Sequence, residues 1–380
     1  MALILITGGA GFIGSHLSRH LLSAGHTVRI LDCLAPQIHG QVPTGLDWLA
    51  GPGVDFIRGS VTDELMVRKA LQGVTTVVHL AAETGTGQSM YEIARYNSVN
   101  VGGTALLLDV LANDRHHSVN RIVLASSRSI YGEGAYNCPS CNDKKRHYPD
   151  GRNMAQLSEH RWEHSCATCG DNLEPVATHE DDPAKPASIY AATKYAQEDL
   201  VRVACSALSM DYAILRLQNV YGEGQSLNNP YTGILSIFST RVRRGQHLPI
   251  FEDGQETRDF VHVQDVASSF LAAIQSPGAL SAEINVGVGT KTSVAEIAAH
   301  LSVAFGVSPN LLTTEEYRLG DIRHNFANIN RLKETLGYQP QINLVTGMER
   351  FARWVQQQSL PEDKLDQANF ELKSRGLMGE

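Results

Sequence analysis

A doubly wound α/β fold around a parallel sheet is what this 380-residue sequence predicts. Three observations carry that expectation. Short apolar runs at 3–7, 26–31, 54–58, 75–81, 121–126 and 212–217 alternate with helical patterns, as parallel βαβ units require. A glycine-rich turn, Gly8-Gly-Ala-Gly-Phe-Ile-Gly14, joins the first run to an amphipathic helix ending near Ser23. An acidic residue, Asp32, closes the second run.

The first run, Leu3-Ile-Leu-Ile-Thr7, is rich in β-branched residues and reads as a buried parallel strand. Gly8, Gly11 and Gly14 are spaced to make a tight turn, to admit a pyrophosphate against backbone, and to let the helix pack on the strand. Phe12 and Ile13 open that helix, whose N–H groups and positive dipole end face the phosphates. Together they read as a Rossmann-like dinucleotide site, with a purely structural glycine turn as the alternative. A carboxylate at Asp32 suits a ribose 2′-OH and repels a 2′-phosphate. Cys33 and Leu34 follow it with no arginine, which favours NAD over NADP. The third run leads into Gly59-Ser60-Val61, and helical patterns follow at 61–71 and 89–111.

The run at 121–126 ends in Ser126-Ser127-Arg128-Ser129-Ile130-Tyr131. Carboxyl ends of strands line the ligand crevice in such sheets. A hydroxyl there can bond a substrate oxygen or cap backbone. A long helical pattern at 188–208 carries Tyr190 and Lys194 on one face. A phenol ionises near pH ~10, and lowering that by ~3 units takes ~4 kcal/mol. One ammonium at ~4–5 Å, in an effective dielectric of ~20, supplies about that much. The pair can therefore make a tyrosinate base. An ordinary tyrosine beside a solvated lysine has the same spacing.

After Asn219 the pattern becomes mixed, with Gly, Asn and Pro clustered at 221–233. Residues 1–217 are read as the nucleotide domain and 218–358 as a smaller α/β substrate domain, with segments near 234–275 returning to the first and 359–380 a peripheral helix or loose end. The insertion at 133–187 is longer than a strand-to-helix connection needs, and it is expected to form a lid or rim beside the pocket. Its Cys138-x-x-Cys141 and Cys166-x-x-Cys169 pairs can give four thiolates to one structural zinc, with free thiols or a redox pair as the alternatives. Cys33 and Cys205 read as packing residues.

A net charge of −8 without a basic run argues against nucleic-acid binding. No apolar stretch is long enough to span a bilayer. The N-terminal run lacks the basic flank of a signal peptide. Six cysteines in a chain this long do not make a disulfide scaffold, and a cytoplasmic protein is expected.

Taken together, these motifs resemble the extended short-chain dehydrogenase/reductase family, the NAD-dependent nucleotide-sugar epimerases and dehydratases. The likeness runs over about residues 1–350 outside the insertion. It rests on Thr7 to Gly14, His79-Leu-Ala-Ala82, Asn100-Val-Gly-Gly-Thr104, Ser126-Ser127, Tyr190 with Lys194, Leu215 to Gly222, and Arg258-Asp-Phe-Val-His262. Stretches beginning at Gly87, Asn229, Phe251 and Gly320 are similar to its dTDP-L-rhamnose 4-epimerase-like branch.

The resemblance implies a 4-epimerase of a dTDP- or UDP-hexose. Tyr190 would take the proton of the sugar 4-OH while hydride passes to the nicotinamide. Lys194 would hold the nicotinamide ribose and lower the tyrosine pKa, with Ser127 beside them. It also places Ser60, Val61, Leu80, Ala81, Ala82 and Asn100 at the cofactor. Thr84, Arg128, Ser129, Asn219, Phe251, Arg258 and Arg323 fall at the sugar nucleotide, the last two at its diphosphate, with an ordinary domain-interface ion pair as the alternative for each arginine. A homodimer through two long helices is implied too, with Ile189, Ala192, Ala196, Leu200 and Val203 as the candidate stripe on the second. The family's dehydratases carry carboxyl acids where this chain has Arg128 and Ser129, which favours epimerisation. Ser60 stands where an adenine-binding Asp is common. A keto-sugar reductase, and a retired NAD-binding protein whose zinc insertion recruits partners, are the alternative readings.

Overall fold

The structure is a computed structural model that describes residues 2–114, 116–141, 145–227, 233–360, 362–363 and 365–379. Most of the stretch beginning at Asn229 lies outside them.

Seven parallel strands form the main sheet, in the spatial order Ser281–Val286, Asp211–Leu217, Arg121–Ser127, Thr76–His79, Leu3–Thr7, Thr27–Asp32 and Val54–Arg58. The chain winds outward from Leu3–Thr7 in one direction. It then returns to its other side at Thr76–His79 and winds the opposite way. That reversal opens a crevice at the carboxyl ends of the two strands. Alternation within each strand sorts the faces. Ile4, Ile6 and Val123 pack with Leu17, Leu21 and Phe270 on one side. Leu5, Ile122 and Leu124 pack with Val67, Leu107 and Val201 on the other. Burying each such side chain contributes about 1.5–3 kcal/mol, which is why a slip of one residue is not tolerated.

The seventh strand, Ser281–Val286, was not among the expected runs. It pairs with Asp211–Leu217 from Ser281 opposite Tyr212. The segment expected to return near 234–275 divides. The helix Ile234–Arg243 packs into a separate cluster with Phe260, Ile297, Leu301, Phe351 and Val355. The helix Val263–Gln275 packs beside Phe12–Ser23 on the main sheet. Arg121 pins its end, donating to the carbonyls of Ala273, Ile274 and Ser276 and pairing with Asp211 at 2.9 Å. A cation suits a helix C-terminus.

The insertion folds around Tyr136, Cys138, Cys166 and Leu173, with the short strands Ala135–Asn137 and Glu174–Val176 antiparallel. Its described residues form no lid over the site: among them only Ala187 lines a cavity described below. It braces the smaller cluster instead, through Arg152 with Glu252 at 2.7 Å and Glu163 with Arg323 at 2.6 Å. Of the two readings of the tail, the helix is the one seen among the described residues. Leu365–Ser374 is a helix, and Met378–Gly379 pairs with Tyr317–Arg318.

Candidate functional site

A cavity of about 1030 Å³ runs along the carboxyl ends of the sheet. Its floor is the glycine turn. Gly8 has φ +70°, and a Cβ there would lie 2.8 Å from the Ala81 nitrogen. A Cβ on Gly14 would lie 2.6 Å from the Gly9 backbone. Both positions need glycine, one for conformation and one for contact. The Phe12–Ser23 helix begins behind Gly11 with no side-chain cap, so its first N–H groups are free to face the cavity. Asp32 takes hydrogen bonds from the backbone N–H of Ala10 (3.0 Å) and Leu34 (2.8 Å), which aim the carboxylate along the cavity wall. Gly11, Phe12, Ile13, Ser60, Val61, Leu80, Ala81 and Ala82 line the same space. The Ser60 hydroxyl is engaged with Thr62 (2.8 Å). Cys33 is exposed on this wall and is not a packing residue, whereas Cys205 is buried.

Asn100 does not reach the cavity. It is fully buried and grips the backbone N–H and C=O of Glu83 (2.8 and 3.1 Å) and the Thr193 hydroxyl (3.0 Å). Thr193 in turn donates to the Tyr190 carbonyl at 2.9 Å. Asn100 thus sets the cavity wall and the start of the helix that carries Tyr190.

That helix, Ile189–Ala207, is capped by Ser188, which accepts from the Ala191 N–H at 3.1 Å. Tyr190 and Lys194 lie on its cavity side, opposite Ser127. Ser126, next door, donates to Glu198, which pairs with Arg216 at 2.8 Å. Arg216 also donates to the Tyr131 hydroxyl (2.8 Å). This buried network holds the serine loop on the helix.

Burial pushes the Tyr190 phenol up, and the Ser127 hydroxyl and Arg128 charge pull it back only in part. Burial takes Lys194 down to about 7, opposed by Glu198. The cation expected to lower the phenol was Lys194. In the folded chain the charge that pulls on the phenol is Arg128, while burial brings the lysine down to titrate near neutrality.

Thr84, Arg128, Ser129 and Asn219 line the same cavity. Arg128 donates from Nε to Asn219 Oδ1 at 3.0 Å. These two residues also line a second cavity of about 240 Å³, together with Phe251 and Arg258. Arg258 is held by the carbonyls of Thr257, Ile322 and Arg323.

Arg323 does not belong to it. Only 1% exposed, it spends its donors on Glu163, Asp253 and Glu252 at 2.6–3.1 Å. The arginine that faces the cavity is Arg318, whose guanidinium lies 4.5 Å over the Phe251 ring. Among the described residues Arg128, Arg258 and Arg318 have no carboxylate in ion-pairing contact. Their free positive charge suits a diphosphate. Arg318 sits five residues from the arginine chosen from sequence, and only the acidic partners of Arg323 tell the two apart.

The four cysteines converge. Cys138 and Cys169 sulfurs are 3.5 Å apart, Cys141 and Cys166 3.6 Å, and one sulfur from each falls within 4.8 Å of the rest. A tetrahedral tetrathiolate with ~2.3 Å metal–sulfur bonds has sulfurs about 3.8 Å apart.

Comparison with known proteins agrees with this geometry. The chain matches the model of the NAD dependent epimerase/dehydratase family over residues 4–153 and 164–287. It is 38% identical over 361 residues to dTDP-L-rhamnose 4-epimerase of Burkholderia thailandensis, covering 93% of this chain and 95% of that protein. It is 30% identical to UDP-glucose 4-epimerase of Mycolicibacterium smegmatis, covering 93% and 99%. In fold it is similar to UDP-glucuronic acid 4-epimerase from Bacillus cereus in complex with UDP-glucuronic acid and NAD (TM-score 0.75, 25% identity, 93% and 99% covered). It is likewise similar to Thermus thermophilus UDP-glucose 4-epimerase in complex with NAD (TM-score 0.72, 27% identity, 94% and 100% covered).

Proposed function

The chain belongs to the NAD dependent epimerase/dehydratase family, and from that premise we propose that it is an NAD-dependent nucleotide-sugar 4-epimerase, an isomerase, acting on a dTDP- or UDP-hexose. One observation carries the reading. Arg128 and Asn219 line both cavities, so a ligand whose diphosphate meets the arginines of the smaller one presents its sugar to Ser127 and Tyr190 in the larger.

The glycine cradle, the open helix N-terminus and Asp32 fit NAD, which when bound takes hydride from C4 of the sugar and returns it. Tyr190, as phenolate, accepts the proton of the 4-OH and later gives it back. Ser127 bonds the same sugar oxygen and keeps it within reach of the phenol. Arg128 favours the anionic form of Tyr190, and Lys194 supplies donors deeper in the cavity. The ketone formed at C4 turns over between the two transfers, so hydride re-enters on the opposite face.

Dehydration needs an acid at the leaving hydroxyl. Positions 128 and 129 supply none. Of the carboxylates lining the larger cavity, Asp32 is held by the Ala10 and Leu34 N–H groups, and Glu83 and Glu223 are tied to Arg95 (2.7 Å) and to His262 and Arg350 (3.0 and 2.9 Å). Despite burial, the His262 bond holds Glu223 down at about 2.

Purified protein offered dTDP- and UDP-hexoses is expected to convert one to its C4 epimer with no net NADH. Stoichiometric NADH formation or consumption would instead make it a dehydrogenase or reductase.

We also propose that Cys138, Cys141, Cys166 and Cys169 hold one structural zinc, supported by their sulfur spacing and by the Thr168 N–H directed at Cys166 (3.4 Å). Four thiolates complete the shell, so the metal has no catalytic part. Metal analysis should find about one zinc per chain, and Cys166→Ser should remove it. A homodimer is supported by the Ile189–Ala207 helix, where Ala192 and Val203 are exposed, Val203 at 68%, although Leu200 of the same stripe packs against the main-sheet core. All six cysteines are free, which suits a reducing compartment such as the cytoplasm.

A further inference from the structure

The smaller cavity has a wall that comes from the end of the chain. Leu365, Ala368 and Leu372, on one face of the Leu365–Ser374 helix, line it together with Leu377. The first three are buried, whereas Phe370 on the opposite face is 72% exposed. That helix is tied on both sides of the cleft.

On the nucleotide-domain side, Leu372 lies against Gly87, where a Cβ would be 3.5 Å from it. The Arg375 guanidinium stacks 4.2 Å over the Tyr91 ring. On the substrate side, Lys373 pairs with Glu316 at 2.6 Å. Met378–Gly379 adds a short antiparallel strand to Tyr317–Arg318, and the Leu319 N–H donates to the Leu377 carbonyl at 3.0 Å. Asn369 accepts from Arg318 Nη2 at 2.8 Å. The tail therefore holds the one cavity arginine that stacks on Phe251, and it closes the apolar side of the same space.

We propose that residues 365–379 form a strap that completes the nucleotide end of the substrate site, supplying an apolar wall through Leu372 and Leu377 and fixing Arg318 through Asn369. The strap rests on the nucleotide-sugar reading above and adds to it a binding element outside the two-domain body. Its ligand is the nucleoside diphosphate part of the substrate, and it has no share in the NAD cavity, whose lining includes none of its residues.

The test compares three proteins with the full chain: one ending at Gln358, and full-length Leu372→Glu and Asn369→Ala. Affinity for free UDP and free dTDP is measured by calorimetry, with retained NAD and melting temperature measured alongside. The truncation and Leu372→Glu are expected to weaken the preferred nucleoside diphosphate at least about tenfold, the equivalent of one lost contact of about 1.4 kcal/mol. Asn369→Ala should weaken it several-fold, and retained NAD should match the full chain. Should the truncated chain fail to fold, the two point variants decide.

Unchanged or tighter diphosphate binding in folded Leu372→Glu and Asn369→Ala overturns the strap and leaves the epimerase reading standing. A full chain that binds neither diphosphate overturns the nucleotide-sugar reading and the strap with it.

Discussion

Lys194 donates from Nζ to Oε1 of Gln197 at 2.7 Å, and Gln197 passes the contact on to the Thr104 hydroxyl at 2.6 Å. Thr104 gives its own proton to the Asn100 carbonyl (2.6 Å), so it can only accept from His79 Nε2 (2.9 Å). His79 is then the neutral Nε2–H tautomer, with Nδ1 facing the Thr7 hydroxyl (2.7 Å). Burial, aided by the Lys194 charge, lowers its pKa to about 3, which keeps the ring neutral at working pH. Lys194 is thus fixed to the strands Leu3–Thr7 and Thr76–His79 by a chain of uncharged groups.

Such a lysine costs stability while it stays charged. Its folded pKa of about 7 lies below the ordinary 10.5. The unfolded chain therefore holds more protons between those values, and stability rises as pH climbs from about 7 toward 10.5. In nucleotide-free protein, Lys194→Met removes the buried charge and flattens that rise. The expected observation is a melting temperature for the variant that gains most on the parent at pH 6, with the difference shrinking toward pH 10. Parallel curves would show that the lysine keeps its ordinary pKa, and so stays protonated, inside the fold. Turnover should fall sharply in the same variant.

Tyr190→Phe keeps the ring and its packing and removes only the proton acceptor. Its kcat is expected to drop by about 10²–10⁴ while NAD retention and nucleotide affinity hold. A phenylalanine variant with full turnover would end the tyrosinate mechanism. Ser127→Ala should lower kcat less and leave the fold intact, since Ser126 carries the bond to Glu198.

Arg318→Met and Arg323→Met should separate the two candidate diphosphate arginines. The first loses a donor facing the cavity, so KM for the sugar nucleotide should rise about tenfold to a hundredfold in a stable protein. The second leaves Glu163 and Asp253 without their cation, and should cost about 3–5 kcal/mol of stability. Titration with urea and steady-state kinetics on the same preparations read both effects. A KM change in Arg323→Met without loss of stability would reverse the assignment.

Glu198→Gln should destabilise the chain by about 3–5 kcal/mol, because Arg216 remains buried without its counter-charge. Loss of the Ser126 anchor should slow turnover as well. A double variant, Glu198→Leu with Arg216→Met, should recover much of the stability and little of the activity, as the serine loop would still lack its hold.

Much of the cofactor half was legible in the chain. Gly8, Gly14 and Asp32 act within one βαβ unit, where spacing alone dictates which backbone is close. Tyr190 and Lys194 were legible for the same reason, being one turn apart on a single helix. Their protonation was not. Burial by residues far along the chain sets it, and it lowered the pKa of the expected ammonium to about 7.

The substrate half was less readable. Arg323 and Arg318 look alike as letters. What distinguishes them is Glu163, 160 positions from Arg323 in the chain. Asn100 matched a family motif, yet its amide is consumed by Glu83 and Thr193. The 133–187 insertion announced its cysteine cluster through two short spacings, while its braces to Glu252 and Arg323 gave no local sign. The seventh strand and the strap went unseen because neither has a strong pattern. Each is stable only where a partner strand or a cavity edge meets it.

Chain-local chemistry dictated the parallel α/β architecture, the glycine cradle and the pairing of Tyr190 with Lys194 on one helix face, since each depends on residues a few steps apart whose geometry the backbone period sets. Which arginines stay free for a diphosphate, how charged Lys194 is, and what closes the nucleotide end arose only on folding. Those properties are differences in burial and pairing between groups from distant segments, and such differences have no value until the segments meet.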